Sequence, residues 1–158
     1  MSFSSRLKNK VVKAQGSSFW VKKTITSSGL LTTAQSLTSA ATGQLFVKEI
    51  IVKTDATGLA GATNFEILSD NAKGVVNVFV ETVANLGANI TKVMSAGAIQ
   101  AETTTSDAHP TVTALPTVLE AGKKLQYIGT GVAGTGAGTI DVFVCFERID
   151  EGALCSAV

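Results

Sequence analysis

Few side chains in this sequence can perform catalysis or bind a metal. His109 is the sole histidine, so neither a multi-histidine metal site nor a Ser-His-Asp triad is readily assembled. A Cys145–His109 dyad is conceivable, because a thiolate nucleophile needs an adjacent base. Cys145, however, stands between Val144 and Phe146, and a buried thiol behaves as a small inert apolar group. The pattern favours a protein that is not an enzyme.

A glycine-rich segment has the spacing of a nucleotide-binding motif. Residues 129–134 formally fit G-x-G-x-x-G. That motif binds pyrophosphate where a strand passes into a helix whose amides face the phosphate. From Thr139 onward the composition is that of a strand, so we interpret the segment as a hairpin linker. The acids are scattered singly, without paired-carboxylate or calcium-loop spacing, and we predict neither a cofactor nor a metal.

The charge is distributed unevenly along the chain. Residues 1–23 hold six basic residues and no acid, whereas the remainder has a formal charge of −5 and the whole chain +1. A basic arm on an acidic body can contact nucleic acid, a membrane surface or an acidic patch on another subunit, or it can be a solvated end. We assign residues 1–16 as an N-terminal arm and expect partner contacts at Arg6, Lys8, Lys10 and Lys13.

The longest apolar run bounded by turn residues lies at residues 138–149 and is rich in β-branched and aromatic side chains. In a strand, alternate residues face opposite sides. One side would carry Ile140, Val142, Val144 and Phe146, and the other mainly Phe143, Cys145 and Ile149. A strand that is apolar on both sides must be covered on both, in a sandwich or by a neighbouring subunit. We therefore predict a central strand.

The rest of the chain shows the same short periods. We predict strands at residues 19–26, 44–54, 64–68, 75–81 and about 125–129, a hairpin connection at 69–74, an ambiguous helix or strand at 83–94, and a loop with one or two edge strands at 95–118. Seven to nine strands without a long helix predict an all-β fold, an antiparallel β-sandwich of jelly-roll or Greek-key type. The predicted divisions are the arm, a sandwich domain at 17–150 and a C-terminal tail at 151–158.

The composition is that of one globular domain, with 45% hydrophobic and 16% charged residues among 158. Two cysteines give no disulfide framework, so both are predicted to be free thiols. The sequence has no apolar run near the roughly 20 residues of a membrane span and no signal-peptide pattern, so we expect synthesis in a cytoplasm.

The C-terminal third resembles a known class of proteins. Leu119-Glu120-Ala121-Gly122-Lys123-Lys124-Leu125-Gln126, a Gly/Thr linker and Gly138-Thr139-Ile140-Asp141-Val142-Phe143-Val144 resemble the end of small β-sandwich structural proteins of tailed bacteriophages, the head decoration or cement type. The resemblance implies a non-enzymatic protein that assembles, often as a homotrimer, on the major capsid protein and stabilises the shell. It also implies a location at the capsid surface of the virion, with the arm and exposed loops making the lattice contacts.

Other functions fit parts of the pattern. A small jelly-roll capsid protein could turn its arm to packaged nucleic acid, but six basic residues are few for that role. Trp20 beside Lys22 and Lys23 could form a nucleic-acid surface, although core or subunit packing is favoured. Another minor virion protein, of the tail or fibre base, is a further alternative. A carbohydrate-binding module using loops 95–118 and 129–138 is disfavoured by the scarcity of aromatic residues. No small-molecule substrate and no membrane partner are expected.

Overall fold

The structure is a computed structural model that describes residues 17–71, 74–95, 98–101 and 117–158. These residues form ten strands and two 3-10 turns, Ser27–Gly29 and Val83–Asn85, with no α-helix among them. The strands are β1 Ser18–Thr26, β2 Gln35–Ser36, β3 Leu45–Thr54, β4 Asn64–Asn71, β5 Gly74–Thr82, β6 Thr91–Ser95, β7 Ala98–Ala101, β8 Thr117–Leu119, β9 Leu125–Thr130 and β10 Thr139–Arg148.

The strands make two antiparallel sheets. The larger sheet has the order β1-β10-β3-β6-β7, with β8 also paired to β3, and the smaller sheet has the order β2-β9-β4-β5. When the short strands β7 and β8 are left out and the other eight strands are counted 1 to 8 along the chain, the larger sheet has the order 1-8-3-6 and the smaller sheet 2-7-4-5. This is the strand order of a jelly roll, a double sheet built from two Greek keys. The predicted all-β antiparallel sandwich is confirmed.

Strand β10 lies inside the larger sheet, paired with β1 on one side and β3 on the other. Its core-facing side chains are almost fully buried, as predicted: Ile140, Val142, Val144 and Phe146. Phe146 stacks on Phe19 of β1 with ring centroids 5.4 Å apart. Through this pairing and the Phe19–Phe146 contact, β10 connects the N-terminal strand β1 to the C-terminal part of the fold.

Strand β3 contains a β-bulge, which the pattern of apolar residues in its sequence does not reveal. Leu45, Val47, Ile50 and Val52 are all fully buried, so the inward side changes from odd to even positions within the strand. The pairing with β10 shifts at the same place, where Glu49 opposes Cys145 but Val47 opposes Phe146. One extra residue on β3 makes a β-bulge, which keeps both ends of the strand in register with the core.

Residues 83–94, which the sequence left open between helix and strand, form a 3-10 turn followed by strand β6. Two other local predictions need correction. Pairing of β4 with β5 continues to Asn71 and Gly74, so the hairpin connection predicted at 69–74 is too long. Residues 130–138 connect β9 of the smaller sheet to β10 of the larger one, so they form a crossover between sheets instead of a hairpin linker.

Residues 151–158, predicted as a tail, pack against the sandwich. Ala153 and Cys155 belong to the core, with exposed fractions of 2% and 9%. The Ser39 amide donates to the Ser156 carbonyl at 2.7 Å, and the Thr42 amide donates to the Leu154 carbonyl at 2.9 Å. The segment thus continues the hydrogen-bonded structure. The division into arm, domain and tail stays a prediction, and residues 1–16 lie outside the described residues.

Candidate assembly surface

The side of the larger sheet that is turned away from the smaller sheet is here named the outer face. Strand alternation and register place these side chains on it: Trp20 and Lys22 of β1, Asp141, Phe143, Cys145 and Glu147 of β10, Phe46, Lys48, Glu49, Ile51 and Lys53 of β3, and Val93 of β6. An antiparallel sheet in water ordinarily carries polar residues on such a face. This face carries six charged side chains, but apolar side chains lie among them.

A row of apolar side chains crosses the middle of the outer face. Phe143 opposes Ile51, and Ile51 opposes Val93, so the three lie side by side across three strands. Trp20 lies one row along, opposite Cys145, and is 50% exposed. Phe46 is 37% exposed on the same face. Phe143, Ile51 and Val93 are partly buried, so Trp20 and Phe46 are the exposed apolar side chains among these five. Large apolar side chains exposed on a sheet face are typical of a surface that another molecule covers.

Two ion pairs lie on either side of the apolar row in the direction of the strands. Lys22 Nζ lies 2.8 Å from Asp141 Oδ2, and Lys48 Nζ lies 2.5 Å from Glu147 Oε2. Lys22 also lies over the Phe143 ring, 5.3 Å from its centroid. Pairs this exposed add little to stability. An apolar centre with a charged rim is the usual anatomy of a protein–protein interface.

The ionisation of this rim follows from its contacts. Partial burial raises the pKa of Asp141, but hydrogen bonds from Lys22 and Thr24 outweigh it and hold the pKa below its usual value. The hydrogen bond to Glu147 raises the pKa of Lys48. Asp141 and Lys48 are therefore charged at neutral pH.

The thiols are poorly suited to nucleophilic chemistry. Burial, followed by the nearby Glu49 carboxylate, raises the pKa of Cys145. Burial raises the pKa of Cys155 to about 11. Both thiols are free, buried and protonated at neutral pH. His109, the other half of the conceivable dyad, lies outside the described residues. Within the described ranges, no group of three His, Cys, Asp or Glu side chains is placed to hold a metal ion.

The basic and aromatic residues that the sequence analysis names as candidate contacts lie in different places. Arg6, Lys8, Lys10 and Lys13 lie outside the described residues. Trp20 is on the outer face and not in the core, and Lys22 accompanies it. Lys23 points to the other side of β1, where its Nζ lies 5.6 Å from the centroid of the Tyr127 ring. The sequence patch of one tryptophan and two lysines is thus divided between two faces of one strand.

Sequence reasoning missed most of the outer-face row. The sequence predicted correctly that Phe143 and Cys145 lie on the second face of β10. That second apolar face was the one sign in the sequence of an apolar outer face. Ile51, Val93 and Phe46 were not connected with them, because cross-strand register and the bulge in β3 are not visible in local periodicity.

No protein-family model and no curated protein matches the sequence. Among solved structures, the chain is similar to one in the acid-stable capsid structure of Helicobacter pylori bacteriophage KHP30, with a TM-score of 0.44, 11% identity, and coverage of 89% of this chain and 94% of that one. It is also similar to the SPBc2 prophage-derived protein YomS, with a TM-score of 0.27, 15% identity and coverage of 80% and 95%. A chain of infectious bursal disease virus, Gx strain, gives a TM-score of 0.23 at 16% identity, covering 87% of this chain and 38% of that one.

The described part of the chain contains no helix that is long and apolar enough to cross a membrane.

Proposed function

We propose that this chain is a non-enzymatic structural protein of a bacteriophage virion, of the capsid decoration or cement type. The observation that carries the proposal is the group of apolar side chains on the outer face, where Phe143 lies opposite Ile51 and the half-exposed Trp20 lies one row along. A jelly roll that binds only small molecules has no use for a wide apolar sheet face. A subunit that is covered by copies of itself, or by a shell, does.

The proposed assembly is a homotrimer that is seated on the major capsid protein. The resemblance of residues 119–126 and 138–144 to decoration proteins supports this arrangement. The outer face supplies the subunit contact, because a stable interface needs about 800 Å² per partner and a well-packed aromatic anchor near its centre. The basic arm, with Arg6, Lys8, Lys10 and Lys13, supplies further contacts to the capsid lattice.

Light scattering behind size exclusion tests the contact through the outer face. The full chain is expected at three times its 16.2 kDa mass, and Trp20→Ser is expected to shift it to the monomer. Val132→Ser is the matched control, since Val132 is 57% exposed but lies in the loop between β9 and β10. A monomeric wild-type chain, or a trimer that survives Trp20→Ser, would contradict the proposed contact. Large closed particles would instead favour a small jelly-roll shell protein.

The virion assignment has its own test. Mass spectrometry of purified phage particles from cells that carry the gene should detect the chain in the head fraction. Absence from the particles would overturn the assignment whatever the oligomeric state. Deleting residues 1–16 should release the protein from the heads, and full occupancy after the deletion would remove the arm from the contact.

A further inference from the structure

Strand β1 is an edge of the larger sheet, and among the described strands it pairs with β10 alone. At one end of this pairing the Arg148 amide donates to the Ser17 carbonyl, 3.2 Å away. At the other end the Ser27 amide donates to the Gly138 carbonyl, 2.6 Å away. Opposed residues of an antiparallel pair alternate between hydrogen-bonded and non-bonded, and this register has no shift. The odd-numbered residues of β1 are therefore those that bond to β10.

The even-numbered residues of β1 turn their main-chain groups to the free edge of the sheet. These residues are Ser18, Trp20, Lys22, Thr24 and Thr26, and all of them are exposed. Their N–H and C=O groups form a row of donors and acceptors along a strand of nine residues. Such a row is a template on which another extended strand can pair through main-chain hydrogen bonds.

The two lysines of β1 do not block this edge. Lysines on an edge strand usually protect it from pairing. Lys22, however, turns toward β10, where its Nζ lies 2.8 Å from Asp141 Oδ2. Lys23 turns toward the smaller sheet: its Nζ donates to a main-chain oxygen of Val158 and lies 5.6 Å from the centroid of the Tyr127 ring. Both ammonium groups are thus directed away from the row of free main-chain groups.

We propose that β1 pairs with β1 of a second copy, antiparallel about a two-fold axis, so that the larger sheets of the two copies become one sheet. In this arrangement Trp20 lies opposite Lys22 of the second copy, and Val21 lies on the axis. The half-exposed indole covers the aliphatic stem of that lysine, while the ammonium stays beside Asp141. The neighbouring register would set Lys22 opposite itself, and like charges directly opposite are destabilising.

This contact is separate from the trimer contact. A single pair of nine-residue strands buries less than the roughly 800 Å² per partner of a standard interface. The pairing therefore forms at a high concentration of subunits, such as that of many copies held side by side on one shell. It uses the main chain at the edge of β1, whereas the trimer contact uses side chains of the outer face, so either contact can exist without the other.

Hydrogen exchange of the full-length chain, followed residue by residue by NMR, tests the pairing. At low protein concentration the amides of Trp20, Lys22 and Thr24 should exchange fast, because they point to solvent. At an about fifty-fold higher concentration they should exchange about tenfold or more slowly, since pairing follows mass action. The amides of Val21 and Lys23 bond to β10 and should be protected at both concentrations.

Thr24→Pro should abolish the concentration dependence at Trp20 and Lys22. Proline removes one donor from the free edge, and it is tolerated where the N–H of an edge strand faces solvent. Thr24→Ala is the matched control: it loses the same hydroxyl bond to Asp141 but keeps the amide, so it should behave as the wild type.

Exchange at Trp20, Lys22 and Thr24 that does not change with concentration would overturn the proposal. Fast exchange at both concentrations would mean that the edge stays open, and slow exchange at both that the chain itself covers the edge. The proposal is equally overturned if Thr24→Pro keeps the concentration dependence of the wild type.

Discussion

Lys92 and Glu81 form an ion pair inside the core of the sandwich. Lys92 Nζ of β6 lies 3.6 Å from Glu81 Oε2 of β5, and the two side chains are 0% and 3% exposed. The other carboxylate oxygen of Glu81 accepts from the Thr82 amide and from Asn85 Nδ2, both at 2.9 Å. The pair thus links the larger sheet to the smaller one and to the turn that leads from β5 toward β6.

Replacing Lys92 by Met should strongly destabilise the fold. The change leaves the Glu81 carboxylate buried without its cation, and loss of one partner of a buried pair costs about 3–5 kcal/mol. Urea unfolding at pH 7 measures this effect. The double variant Lys92→Met/Glu81→Gln should recover part of the loss, because it removes both charges and keeps the acceptor for Thr82 and Asn85. Lys53→Met, at an exposed position of the neighbouring β3, is the control. Equal losses of unfolding free energy in Lys92→Met and Lys53→Met would refute the prediction.

The Asp55 carboxylate predicts a particular pH dependence of stability. It accepts from the Gly58 amide at 2.8 Å, the Thr57 amide at 2.9 Å and the Thr139 amide at 3.0 Å. The bonds from Gly58 and then Thr57 chiefly lower the pKa of Asp55 below its ordinary value of 3.8. A lowered native pKa adds stability above the unfolded pKa, and that stability is lost as the pH falls through the native pKa.

Asp55→Asn should therefore flatten the acid limb of the stability curve. Urea midpoints measured between about pH 5 and pH 2 are expected to fall less steeply for the variant than for the wild type. Glu151→Gln, an exposed carboxylate in the C-terminal segment, should leave the slope as it is. If the stability of the wild type and of Asp55→Asn fell in parallel as the pH is lowered, the Asp55 carboxylate would make no contribution to the pH dependence of stability.

Both cysteines should resist alkylation in the native protein. With the pKa of Cys155 at about 11, only about one molecule in a thousand carries that thiolate at pH 8. Burial adds a steric barrier at Cys145 and Cys155. Iodoacetamide followed by mass spectrometry should find both unmodified at pH 8 and both modified in urea. Rapid native labelling of Cys145 would revive the nucleophile hypothesis.

Gly138 is expected to tolerate no side chain. A Cβ at this position would lie 1.6 Å from the carbonyl oxygen of Gly58, a backbone atom that cannot move aside alone. We expect Gly138→Ala to lower the free energy of unfolding by about 1–3 kcal/mol or more. Gly87→Ala is the matched control, since a Cβ there meets nothing within 4 Å. Thermal unfolding compares Gly138→Ala with Gly87→Ala. Similar melting temperatures for the two variants would contradict the close approach of Gly138 to the Gly58 carbonyl.

The sequence by itself determined the class of fold and the central strand. Apolar alternation over residues 138–149 was enough to predict that β10 lies inside a sheet, because a period of two is a local property of the chain. In the structure, Val21 and Ile25 of β1 follow the same period of two, and both are buried.

The tertiary structure alone decided which residues meet. The buried Lys92–Glu81 pair, the docking of residues 151–158 and the pairing of β1 with β10 each join segments that periodicity cannot relate. Within β3, the change of the inward-facing positions from odd to even at the bulge becomes visible only in the pairing with β10. Strand pairing, register and sheet-to-sheet packing are set by contacts between distant parts of the chain, whereas a sequence pattern records only which face each residue prefers.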